Sequence, residues 1–139
     1  MIKLDVENVV LLHDIVLKQT GGLKGVRDIN MLDCSLSNVY QTFDDQELYP
    51  TIEEKGARMC YALITNHPFV DGNKRIGILV MLSFFELNGV NLKYSDDDLI
   101  KIGVHVADGT MDYQTLLKWV VSSEISAGVE TQEQNSASL

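Results

Sequence analysis

Residues 76 to 87, IGILVMLSFFEL, are apolar almost without a break, with only Ser83 and Glu86 interrupting them. A bilayer span takes about 20 such residues, so this stretch is too short to cross a membrane. It is also too apolar to face water. A helix that is dry on every side has to be wrapped by other elements. No alternating apolar and polar run of useful length occurs elsewhere in the chain, which leaves other helices to do the wrapping. The chain's 139 residues suffice for one hydrophobic core. The sequence therefore predicts an all-α bundle around a central buried helix.

The surrounding helices have recognisable starts and stops. From Leu4 to Lys18, Val9, Leu12, Ile15 and Val16 fall on one face, and Gly21-Gly22 ends the segment before the irregular stretch LKGVRDIN. A second helix is expected from Met31 to Phe43, with Leu32, Leu36, Val39, Tyr40 and Phe43 turned inward. The polar, Pro50-containing segment DDQELYPT then forms a loop or a short hairpin. Thr51 with Glu54 makes a capping box that opens a third helix running toward His67, where Pro68 stops it. The central helix starts at Gly72 or Asn73 and ends at Asn88-Gly89; Gly77 within it permits close packing. Ser95 with Asp98 opens a fifth helix carrying Leu99, Ile102 and Val106, and a last helix spans Asp112 to Ile125. Residues 1–126 form the expected domain. Residues 127–139 have few large apolar side chains and are expected to be a disordered tail.

Charge narrows the function. The formal net charge of −9 argues against direct nucleic-acid binding, which relies on clustered Lys and Arg. Cys34 and Cys60 make no zinc pattern and are expected to be reduced, mostly buried thiols. The amino terminus carries Asp5 and Glu7 around a short apolar run and does not resemble a signal peptide. The expected location is cytoplasmic, with no membrane association.

The informative stretch is His67 to Arg75, HPFVDGNKR. It places Lys74 and Arg75 in the first turn of a helix, where the positive end of the macrodipole disfavours cations by about 0.3–1 kcal/mol. A convergence of free amides, a dipole end and two cations is what an anion needs, and Gly72 lets a phosphate oxygen approach the backbone. Asp71 beside such a pocket suits Mg²⁺, which takes one or two protein oxygens and the rest from phosphate and water. His67, just past a helix end, is placed to accept a proton from an attacking hydroxyl. A lone histidine is more often structural than catalytic; the neighbouring anion pocket raises the case for His67. His13 and His105 lack such company and are expected to be surface or core residues.

The nine residues His67-Pro68-Phe69-Val70-Asp71-Gly72-Asn73-Lys74-Arg75 closely resemble the Fic/Doc signature HxFx(D/E)(G/A)N(G/K)R. Gly21-Gly22-Leu23, Arg27-Asp28, the Phe43 to Pro50 segment and Phe85 to Gly89 resemble the death-on-curing branch. The resemblance covers most of residues 1 to 120. It implies a mainly helical bundle that transfers part of a nucleoside triphosphate to a protein hydroxyl. His67 would be the general base, Asp71 the Mg²⁺ ligand, and Gly72, Asn73, Lys74 and Arg75 the residues holding the phosphates of ATP. Phe69 would anchor the loop in the core, and the Phe43 to Thr51 segment would be a flap that adds a strand to the target peptide.

Departures from the adenylyl-transferring pattern select the reaction. Such members carry a second glycine where this chain has Lys74, and a second arginine where it has Ile78. Lys74 instead matches death-on-curing kinases, which bind ATP in the reversed direction and transfer its γ-phosphate. The resemblance therefore implies a toxin that phosphorylates a translation factor such as an elongation factor. Adenylyl transfer, or non-catalytic binding of a nucleotide or partner, is the alternative. The inhibitory pattern Ser/Thr-x-x-x-Glu-Gly/Asn has no clean copy; Ser126 to Thr131 comes nearest. A separate antitoxin protein is thus expected, with a disordered segment folding across the cleft.

Overall fold

A computed structural model of the chain describes residues 1–125. Helix α1, Val6–Thr20, begins at Asp5, whose carboxylate accepts the Asn8 amide hydrogen while the Asn8 side chain accepts from the Asp5 amide. Its inner face differs from the expected one: Val9, His13 and Leu17 are buried, at a spacing of four, whereas Ile15 is 51% exposed. Helix α2, Ile29–Ser37, starts at Asp28, whose side chain accepts from the Met31 amide. It does not reach Phe43. A single 3₁₀ turn, Asn38–Tyr40, ends it, and the chain enters a hairpin of β1, Thr42–Phe43, and β2, Gln46–Glu47. Thr42 faces Glu47 and Phe43 faces Gln46. The turn residues Asp44 and Asp45 both have positive φ, 52° and 62°, which a two-residue hairpin of this twist requires. The segment thus forms a short hairpin rather than a loop.

Helix α3, Ile52–Asn66, starts at the expected Thr51–Glu54 capping box. Helix α4, Asn73–Leu87, is the apolar run itself; it packs on α1 and α3 and buries Ile76, Gly77, Val80, Met81, Phe84 and Phe85. A Cβ at Gly77 would lie 2.8 Å from Ile64 Cγ1 and 3.2 Å from the Cys60 carbonyl oxygen. Glycine is what lets α3 and α4 approach each other. Helix α5, Asp96–Asp108, opens at the Ser95–Asp98 box, ends at Gly109 in the left-handed region and packs on both α3 and α4. Helix α6, Tyr113–Ser123, is capped by Asp112 and packs on α3. The fold is mainly helical with one small sheet. Cys60 is buried, which pushes its thiol up to about 12. Cys34 is exposed, contrary to expectation, because it lies on the outer face of α2. Among the described residues no helix is long and apolar enough to cross a membrane. The stretch from Ser126, with the expected tail and the Ser126–Thr131 resemblance, lies outside the described residues.

Candidate active site

The site is the turn between α3 and α4, and each of its backbone kinks has an identifiable cause. Proline at 68 disfavours right-handed helix at His67. His67 takes φ 49° and ψ 56°, the left-handed C-cap of α3, and its side chain is exposed. A non-glycine residue in that region is held there by its surroundings. Arg27 supplies the hold: its Nε donates to the His67 carbonyl at 2.6 Å and its Nη2 to the Asn66 carbonyl at 2.8 Å. A cation on the last carbonyls of a helix also complements its dipole. The amides of Arg27 and Asp28 donate to the Pro68 carbonyl at 2.7 and 3.0 Å, and the Val70 amide donates to Gly25 at 3.0 Å. The turn is therefore zipped to residues 25–28, with Val26 bridging Phe69.

Phe69 is buried, as expected of an anchor, and the ring of His13 stacks on it with centroids 3.8 Å apart and planes 12° off parallel. His13 Nε2 lies 2.7 Å from the Asp71 carbonyl oxygen. A carbonyl only accepts, so Nε2 carries the hydrogen. His13 is thus a core residue that touches the motif, although nothing in the sequence gave it that company.

Asp71 points its carboxylate at backbone amides. Oδ1 accepts from Gly72 at 2.8 Å and Oδ2 from Leu23 at 3.2 Å. Those two bonds, aided by the nearby Arg75 and His13, hold the carboxyl below the usual range. A Cβ at Gly22 would sit 2.8 Å from Asp71 Oδ2 at φ +124°. Only glycine lets the 21–23 loop reach that oxygen.

Gly72 is the N-cap of α4 with φ 76°, and no side chain caps the helix. Ile76 is the first helix amide to find a carbonyl, that of Gly72 at 3.0 Å. The amides of Asn73, Lys74 and Arg75 are thereby left for a ligand or water. The Asn73 side chain turns inward, with Oδ1 accepting from the Phe69 amide and Nδ2 donating to the Phe69 carbonyl, both at 3.0 Å. What Asn73 offers outward is its main-chain amide. Lys74 is exposed, with its stem against Gly103 of α5. Arg75 leans back on the end of α1, donating to Thr20 Oγ1 and to the Gly21 carbonyl at 3.4 Å. That placement sets its charge on the negative end of α1, so only Lys74 faces an unrelieved dipole cost.

The arrangement suits a triphosphate with Mg²⁺. It holds a carboxylate kept in its ionised form by backbone amides, three free amides and an exposed ammonium within one turn of chain. Among the described residues there is no group of three or more His, Cys, Asp or Glu side chains able to hold a metal. Asp71 alone suits an ion that draws most of its oxygens from phosphate and water. His105 lies elsewhere, with Nδ1 2.9 Å from Thr110 Oγ1 at the end of α5.

Residues 3–85 match the sequence profile of the Fic/DOC family. The chain belongs to the Fic/DOC family. This Fic/DOC chain is 35% identical over 89 residues to the protein named Toxin Doc of Mycolicibacterium smegmatis, an alignment covering 64% of this chain and 66% of that protein. The match thus spans just under two thirds of that relative's length. It is 26% identical over 110 residues to the protein named Protein kinase doc of Escherichia phage P1, covering 79% of this chain and 86% of that one.

Proposed function

We propose that this Fic/DOC protein is a Doc-like toxin that transfers the γ-phosphoryl group of ATP to a protein hydroxyl, with a translation elongation factor as the target. The observation that carries the reading is that a single inter-helix turn carries both exposed His67, at the left-handed end of α3, and the uncapped amides opening α4. His67 takes the proton from the attacking hydroxyl as its oxygen bonds to phosphorus and the bond to the ADP oxygen breaks. The amides of Asn73, Lys74 and Arg75 and the Lys74 ammonium bind and orient the phosphates. Asp71 would hold Mg²⁺, which would supply charge neutralisation at the phosphate oxygens. Ile78 supports phosphoryl over adenylyl transfer: its Cδ1 lies 3.4 Å from the Cβ position of Gly103, so that position is spent on packing α4 against α5.

Names of the two relatives favour a toxin and a kinase, and a toxin needs a restraint. A separate antitoxin whose segment folds across the cleft is the partner we infer, in a cytoplasmic setting where ATP is plentiful. Incubation of the purified chain with ATP labelled at the α- or γ-position and a bacterial lysate tests the reading. Transfer of γ-label with a mass gain of one phosphate, lost in His67→Ala, is expected. Transfer of α-label with a gain of AMP replaces it with adenylyl transfer, and no transfer at all with retained Mg-ATP binding leaves a non-catalytic binder.

A further inference from the structure

The hairpin Thr42–Glu47 has almost nothing of its own to hold it. Every residue from Thr42 to Glu47 is exposed, Phe43 by 72%. Two strands of two residues are not stable alone. Beneath the segment that leaves the hairpin, α3 presents two cations at i and i+3. Lys55 is 1% exposed, one of the largest fully buried side chains among the described residues. Its Nζ donates to Glu47 Oε1 at 2.9 Å and to the Tyr49 carbonyl, and lies 5.9 Å from the centroid of the Tyr40 ring. Arg58 lies 5.8 Å from the centroid of Tyr49, whose ring meets Tyr113 edge-on at 5.7 Å.

A buried ammonium is tolerated only while it is paired. Both oxygen partners of Lys55 belong to residues 47–49. A hairpin that swings away takes the Glu47 carboxylate with it and pulls on the chain at Tyr49, leaving the buried ammonium without its counter-charge, so one docked position is strongly preferred. We propose that Lys55 is the positioning residue of the hairpin: it fixes β2 to the bundle, so the edge that receives an extended segment of the protein target is set before the target arrives. Reception of the target by strand addition rests on the functional reading above; the anchoring itself does not.

Lys55→Met tests this, because an unbranched apolar chain of similar length fits the buried slot without stranding a charge. Hydrogen exchange of the amides of residues 42–48 should be roughly tenfold faster in Lys55→Met than in the wild type. Glu47→Gln, at an exposed position, should show a smaller change in the same direction, and Lys55→Arg should restore most of the protection. Mg-ATP affinity by calorimetry should stay at the wild-type value. In γ-label transfer across a lysate dilution series, the half-saturating lysate concentration should rise several-fold with the maximal rate retained. Wild-type exchange rates in Lys55→Met and Glu47→Gln, or a fall in maximal rate at unchanged half-saturation, overturn the proposal. A wild-type chain that moves no label yet shows the exchange difference upholds the anchor and overturns the kinase reading instead.

Discussion

His13 on α1 donates its Nε2 hydrogen to the main-chain oxygen of Asp71 at 2.7 Å while its ring covers Phe69. One buried side chain thereby fixes both the apolar anchor of the turn and the peptide that carries the candidate Mg²⁺ ligand. The two roles separate by substitution. His13→Phe keeps an aromatic ring for Phe69 but leaves the Asp71 carbonyl without its donor, an expected loss of about 1–2 kcal/mol. His13→Ala also removes the stack and opens a cavity, so it should be the less stable of the two by thermal melting. Both should weaken Mg-ATP binding by calorimetry. Wild-type affinity in His13→Phe would show that the carbonyl needs no anchor.

Gly22→Ala probes the other side of Asp71. The new methyl would press on Oδ2 and on Leu17 Cδ2, 3.0 Å away, at a φ that L-residues rarely adopt. Strain of about 1–3 kcal/mol is expected. The loop should retreat, taking the Leu23 amide off the carboxylate. Lowered melting temperature together with weaker Mg²⁺-dependent ATP binding is the predicted outcome, and loss of stability without any effect on ATP would confine Gly22 to the fold.

What the sequence made legible were features whose cause is local. The capping boxes at Thr51–Glu54 and Ser95–Asp98 involve residues three apart, and Pro68 and Gly72 act on their own backbones. Features that depend on long-range partners stayed hidden. His13 escapes because a hydropathy pattern passes over histidine and puts Ile15, which is 51% exposed, on the inner face of α1 in its place. Tyr40 and Phe43 have the spacing of a helix face, but the chain leaves helix at Gln41 and carries Phe43 onto an exposed hairpin. The turn that allows this is Asp-Asp, a weak signal beside the usual Asn-Gly. The family resemblance implies an Asn73 that holds phosphates; an amide side chain serves a backbone equally well, and here it clamps Phe69. Arg75 and Arg27 find carbonyls at helix ends 54 and 39 or 40 residues away in sequence.

Acid titration should report Asp71 directly. Its carboxyl is held below the ordinary range by the Leu23 and Gly72 amides. The folded value is depressed, so the stabilisation is fully present above the unfolded value of about 4 and is lost as pH falls through the lower folded value. Asp108 and Asp112 are lowered as well, by bonds from Thr110 and Thr115, and share that window. Asp71→Asn should therefore make the acid limb of the melting profile shallower without abolishing it, while the plateau above that window falls by the contribution removed. An unchanged limb would mean that the two amide bonds do not favour the ionised form.

Arg27 tests whether the left-handed His67 is held from outside. Its guanidinium reaches two consecutive carbonyls with two different nitrogens, Nε to His67 and Nη2 to Asn66. A lysine ammonium has no such fork. Arg27→Lys should keep the favourable charge at the end of α3 yet lose one of the two bonds, and Arg27→Met should lose both along with the charge. Because the side chain is exposed, the stability cost should stay near 1–2 kcal/mol even for Met. The cost to phosphoryl transfer should be larger in proportion: without the clamp, His67 is free to relax toward the extended backbone that a residue before proline prefers. The expected pattern is a fall in maximal rate, graded Met below Lys below wild type, at nearly constant Mg-ATP affinity, since the free amides of α4 do not depend on Arg27. If both variants transfer label at the wild-type maximal rate, the main-chain bonds to the Pro68 carbonyl and the Val26–Phe69 bridge hold His67 by themselves.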